Sequence, residues 1–116
     1  MLAAPNRGWH ASTPLVVTLT PNTPNLNRDE TRQLQVAAFD SNNQPLNDLK
    51  YSWTVVAVMS DGHLQSQSRD GKEAVYIHQI PTPTGIRHGP PGEVWVEVSA
   101  SYWGQMRRAR VVLSQT

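Results

Sequence analysis

The sequence predicts an all-β domain of about seven strands, a sandwich of two antiparallel sheets or a barrel. Three observations carry this. Short runs of alternating apolar and polar residues recur along the chain, and none keeps a helical apolar stripe over the ~11 residues that would mark a helix. Nine prolines and seven glycines are spread between these runs, where they break one strand from the next. At 116 residues the chain has the size of one domain and can bury one core without disulfide staples.

The elements follow in order. Residues 1–13 read as a flexible N-terminal tail, broken by Pro5, Asn6, Gly8 and Ser12, with Trp9 and His10 as its notable side chains; the domain is placed at 14–116. Leu15–Thr20 is a β-branched strand that Pro21 and Pro24 end. Thr31–Asp40 is the second, with Leu34, Val36 and Ala38 on its inner face. Asp40 to Pro45 is a polar turn. Leu49–Val58 is the third strand, with Tyr51, Trp53 and Val55 turned inward. Leu64–Asp70 reads as a short edge strand, and Asp70-Gly71 as a tight hairpin turn. In Glu73–Ile80 the alternation puts Val75 and Ile77 inside and Tyr76 and His78 outside. Pro81–Gly92, with four prolines and three glycines, reads as a long loop without strand structure. Glu93–Tyr102 is the clearest strand, its inner row being Val94, Val96, Val98 and Ala100. Trp103-Gly104-Gln105 turns the chain into Met106–Leu113, with Ala109, Val111 and Leu113 inside.

The order of these motifs resembles a known family. Leu15-Val16-Val17-Thr18-Leu19-Thr20-Pro21 is similar to the opening strand of bacterial immunoglobulin-like and PKD-like domains. Glu30 to Asp40 resembles their second strand, and Gln44-Pro45-Leu46 followed by Tyr51-Ser52-Trp53 their passage into the third. Gly92-Glu93-Val94-Trp95-Val96-Glu97-Val98 looks like their penultimate strand. Asn43-Gln44 stands where a turn glycine is usual, and Val94 where an aromatic is often found. The resemblance implies an immunoglobulin-like sandwich centred on Trp53, packed by aliphatics such as Val36 and Val96 instead of a disulfide. It also implies a non-catalytic module of a larger bacterial surface or secreted protein, acting as a spacer or an adhesion domain. Its location would then be extracytoplasmic: cell surface, secreted or periplasmic.

Composition narrows the functional classes. Ten basic and nine acidic side chains give a net charge of +1, too little for a broad field that attracts nucleic acid. No cysteine is present, which removes disulfides and thiolate metal sites. No apolar run approaches the ~18 residues of a membrane-spanning helix. The opening Met1-Leu2-Ala3-Ala4-Pro5 lacks the pattern of a secretory signal, which favours an excised piece of a larger protein over a mature form.

Chemistry is sparsely signalled. His10, His63, His78 and His88 are scattered, and solvated histidines are the plainer reading than a zinc site formed with Asp61 or Asp70. Asp40, Asn42, Asn43 and Asp48 are oxygen-rich, as calcium loops are, but the same residues build ordinary turns. No nucleophile elbow or paired-carboxylate spacing stands out, so the expectation is no enzyme, no cofactor and no metal. Arg107, Arg108 and Arg110 read as edge-strand charges with Glu93 and Glu97 as cross-strand partners.

The candidate ligand or partner surface is aromatic: Trp95 on the outer face, Trp103 at the hairpin tip, and Tyr76 and His78 on the outside of another strand. Such a patch could contact a protein, a neighbouring domain of the same chain, or a polysaccharide. A sheet-covering role for Trp95 is the plainer alternative. A third possibility is a subunit contact in an envelope or virion assembly.

Overall fold

A computed structural model describes residues 15–47 and 49–116. The tail assigned to 1–13, with Trp9 and His10, and Asp48 of the oxygen-rich loop lie outside the described residues.

The chain is all-β. The elements are β1 (Val16–Thr20), β2 (Asn25–Leu26), β3 (Thr31–Phe39), β4 (Lys50–Ala57), β5 (His63–Gln67), β6 (Glu73–Ile77), β7 (Ile80–Thr82), β8 (Gly85–Arg87), β9 (Gly92–Tyr102) and β10 (Gln105–Gln115). One four-stranded sheet has the order β1-β3-β6-β5 and a second has β2-β10-β9-β4; β7 and β8 form a separate two-stranded ribbon. The inner rows of the two larger sheets meet in one core. Leu34, Val36, Ala74 and Tyr76 of the first pack with Trp53, Val94, Val96, Val98, Val111 and Leu113 of the second. Alternation with period two produces these rows, because every second side chain of a strand points to the same face.

Three expectations are corrected. Ten strands are described rather than about seven, the surplus being the short β2, β7 and β8. β2 pairs with β10 in parallel, Asn25 with Ser114 and Leu26 with Gln115, so the second sheet is mixed. Leu26 is fully buried there, which gives two residues reason to settle directly after Pro24. The Pro81–Gly92 stretch is not structureless: Pro81 sits in β7 opposite Ile86 of β8. A two-stranded ribbon has outward edges that need no donor, so a proline costs it little.

The turns follow local chemistry. Asn43 has φ 62°, a left-handed conformation that asparagine tolerates better than most residues. Asp40 holds that turn by accepting hydrogen bonds from the backbone N–H of Asn42 (2.8 Å) and Gln44 (2.9 Å). Gly71 has φ 78° in the β5–β6 hairpin, where the Asp70 carboxylate accepts from Ser68 Oγ at 2.7 Å and Lys72 N at 3.0 Å.

Candidate functional site

The four proposed surface aromatics do not form one patch. β6 lies between β3 and β5, and its register pairs Leu34 with Ala74 and Arg32 with Tyr76. Residues directly opposite share a face. Leu34 is inside, so Ala74, Tyr76 and His78 turn inward with it, and both Tyr76 and His78 are 0% exposed. The expected outer placement of Tyr76 and His78 is thus reversed. A small alanine and two polar-tipped rings make up the inner row, while the more apolar Val75 points the other way and is only partly covered; Ile77 is buried, as expected.

Tyr76 is satisfied in the core. Its Oη donates to Gln115 Oε1 at 2.8 Å, and Gln115 Nε2 donates to Ser60 Oγ at 2.7 Å and to the Asp61 carbonyl at 3.1 Å. This buried chain of bonds ties β6, β10 and the β4–β5 loop together.

Trp95 is on the outer face of the second sheet, in a cross-strand row with Val56 and Val112. The Arg110 guanidinium lies 3.8 Å from its ring centroid and pairs with Glu97 at 3.0 Å. The indole N–H donates to the Glu93 carboxylate. The ring face is capped and its donor used, so Trp95 covers its own sheet. Glu97 is the cross-strand partner of Arg110, whereas Glu93 serves the indole.

Trp103 differs. It is 63% exposed at the β9–β10 tip, with its ring edge-to-face to Tyr102 at 6.2 Å and Met106 exposed nearby. Tyr102 pairs with Gln105, leaving a two-residue loop in which Trp103 and Gly104 have φ 50° and 78°. Positive φ at both positions suits the right-handed strand twist and selects Asn-Gly in hairpins. A bulky side chain pays about 1–2 kcal/mol to sit there. Trp103→Asn is therefore expected to raise the thermal midpoint, by a few degrees for ~1 kcal/mol; an unchanged or lowered midpoint in calorimetry would show that Trp103 is not strained.

A second cluster escaped sequence reasoning because its members are far apart. Asp29, at φ 66°, accepts from Gln79 Nε2 at 2.7 Å and contacts His88 Nε2 at 2.5 Å. The His88 and Gln79 contacts hold the Asp29 carboxyl below the usual carboxylate range. His88 is edge-to-face with His78 at 6.0 Å, and His63 Nδ1 lies 2.7 Å from the Gln79 carbonyl. Among the described residues no three His, Asp or Glu side chains converge as a metal site.

Among the described residues neither buried ring nitrogen of His78 makes a well-formed hydrogen bond. Burial pushes its pKa down, with His88 and Arg28 adding to the effect and the backbone at Asn27 and Gly89 opposing it. The unfolded ring titrates near ~6.5. His78 thus favours folding fully above that pH, and its contribution falls as pH drops below it. His78→Leu is expected to flatten stability between about pH 7 and 5; urea midpoints with the same slope as wild type across that window would overturn the assignment. Asp29 acts in the separate, more acidic window below its unfolded value.

No family model and no curated protein matches the chain. Among solved structures, the ZirS C-terminal domain aligns over 85% of this chain and 64% of its own length, with 13% identity and a TM-score of 0.46. This chain thus spans less than two thirds of that domain.

Proposed function

We propose that the chain is a non-catalytic immunoglobulin-like module of a larger extracytoplasmic bacterial protein, and that it engages a protein partner or neighbouring domain through the β9–β10 end. The sheet orders β1-β3-β6-β5 and β10-β9-β4 support the fold assignment, because they parallel the ABED and GFC sheets of immunoglobulin constant-type domains. In this reading β2, β7 and β8 are additions to a seven-strand frame, and Trp53 stands on the third strand of that frame.

The observation that supports the interaction role is Trp103. An exposed indole is presented on a stiff hairpin, at a turn position where asparagine or glycine is cheaper. Strain kept at an exposed site points to a use there rather than to folding. Tryptophan is also among the commonest anchors of protein contacts.

Indole N–H signals in ¹⁵N-labelled protein test this reading. Titration with soluble polysaccharides is expected to leave Trp103 and Trp95 unmoved. A saturating Trp103 shift would replace the protein-contact reading with carbohydrate binding.

A further inference from the structure

The strand register identifies an open sheet edge. Ser114 N and Thr116 N donate to Pro24 O (2.7 Å) and Leu26 O (3.1 Å), so the even-numbered amides at this end of β10 face β2. The odd-numbered ones then face β9, in the register Gln115 to Gly92, Leu113 to Val94 and Val111 to Val96. Glu93, Trp95, Glu97 and Ser99 of β9 therefore present their backbone groups to β4. The Glu93 carbonyl agrees, accepting from Met59 N and Ser60 N at 2.9 and 3.0 Å. Their partners on β4 are Val56, Thr54 and Ser52. By alternation the N–H and C=O groups of Tyr51, Trp53, Val55 and Ala57 point out of the sheet. Among the described residues none of these groups takes a backbone partner there.

Edges of this kind are usually blunted by charges, prolines, bulges or shortness. The other edges of the two large sheets are blunted: β5 has a register shift between Leu64 and Ser66, β1 runs into Pro21, and β10, which β2 covers only at Ser114 and Gln115, carries Arg107, Arg108 and Arg110 along the rest of its edge. β4 has eight residues in unbroken register, no proline, and one charge, Lys50, at its start.

An open groove of about 730 Å³ lies at the start of this edge, lined by Lys50 and Tyr51 of β4 and by Arg69, Asp70, Gly71 and Lys72 of the β5–β6 turn. The Asp70 carboxylate is engaged by Ser68 Oγ and Lys72 N within its own turn. Among the described residues Lys50, Arg69 and Lys72 form no ion pair. The groove is therefore cationic where the row of outward amides begins, at Tyr51.

From this juxtaposition we infer that the β4 edge accepts an extended acidic peptide as an added strand. The inference rests on reading the chain as a protein-interaction module and adds a second site, with its partner chemistry, to the β9–β10 end. Backbone bonds to Tyr51, Trp53, Val55 and Ala57 supply register, as in strand addition generally. Alternate acidic side chains of the peptide meet Arg69 and Lys72, and the intervening ones lie beside Ser52, Thr54 and Val56. A second copy fits less well, because pairing β4 with β4 brings two cationic grooves together.

The test is backbone hydrogen exchange, followed by NMR, with a blocked peptide of alternating Glu and Val at millimolar concentration. Exchange is expected to slow at Tyr51, Trp53, Val55 and Ala57. Lys50→Glu with Arg69→Glu and Lys72→Glu should weaken binding about tenfold or more. Unchanged exchange at those amides overturns the inference. So does equal protection by a Lys and Val peptide, or a response to heparin at Arg69 and Lys72 without edge protection. Such a failure with silent polysaccharide titrations leaves the module reading standing, whereas a Trp103 shift with polysaccharide removes that reading whatever the edge does.

Discussion

Trp53→Ala is expected to lower the free energy of unfolding by about 3–5 kcal/mol, the range for deleting a large buried ring. Trp53 is 8% exposed, lies opposite Val98, and packs in the core shared by both sheets. Its Nε1 donates to the Gly71 carbonyl at 2.8 Å, so the same ring secures the β5–β6 turn. Small domains have only about 5–15 kcal/mol in total, so the loss is a large share of the whole. Trp53→Phe separates the two contributions: it keeps most of the buried area and leaves the Gly71 carbonyl without its donor, at a cost of about 1–2 kcal/mol. Urea denaturation measures both. A shift below ~1 kcal/mol for the alanine variant would mean that the core does not close on this indole.

The second large effect centres on Tyr76. A Cβ at Gly62 would stand 2.0 Å from Tyr76 Oη, 2.5 Å from its Cζ and 2.8 Å from the Ile77 carbonyl oxygen. Gly62→Ala is thus expected to cost at least about 2 kcal/mol, as overpacking does where neighbours cannot yield. Tyr76→Phe leaves Gln115 Oε1 buried without its donor, for about 1–3 kcal/mol. The double variant should recover only part of the alanine's cost, because Phe keeps the ring Cζ and the Ile77 carbonyl is backbone that stays in place. Full recovery would show that the hydroxyl alone sets the glycine requirement.

Tyr76 also predicts a pH dependence. Burial, and then the Asp61 charge, push its phenol up. The unfolded phenol ionises near ~10. Its stabilising contribution is complete below that value and is lost as pH rises above it. The difference in stability between wild type and Tyr76→Phe should therefore shrink in alkaline solution; a constant difference from neutral to alkaline pH would refute it.

The parts of the fold legible from the residues were those where hydrophobicity alternates cleanly. Val94, Val96, Val98 and Ala100 are fully buried, as are Val111 and Leu113. The Leu34, Val36 and Ala38 row is inside, and Asp70-Gly71 turns a hairpin. β6 was misread because alternation reports two faces without labelling them when both carry apolar atoms. The inner face had Ala74 and Tyr76, the outer Val75, and the scale of apolarity ranked them the wrong way round. β2 is too short for any period to show. The Asp29–His88 contact joins residues 59 positions apart, for which the chain carries no local signal.

The candidate site divides in the same way. Trp103 at a tip could be read from Trp-Gly between two alternating strands, since turn chemistry is local. The capping of Trp95 by Arg110 required the register of β9 against β10. The open β4 edge required the sheet order. Local pattern thus determined which segments extend, where most of them turn and which rows are apolar, because steric preference and burial act within a few residues. Tertiary structure decided which face of β6 looks inward, which aromatics reach solvent and which strand lacks a neighbour. Those depend on pairing between distant segments, and a hydrogen-bonded edge has the same side chains whether or not another strand lies beside it.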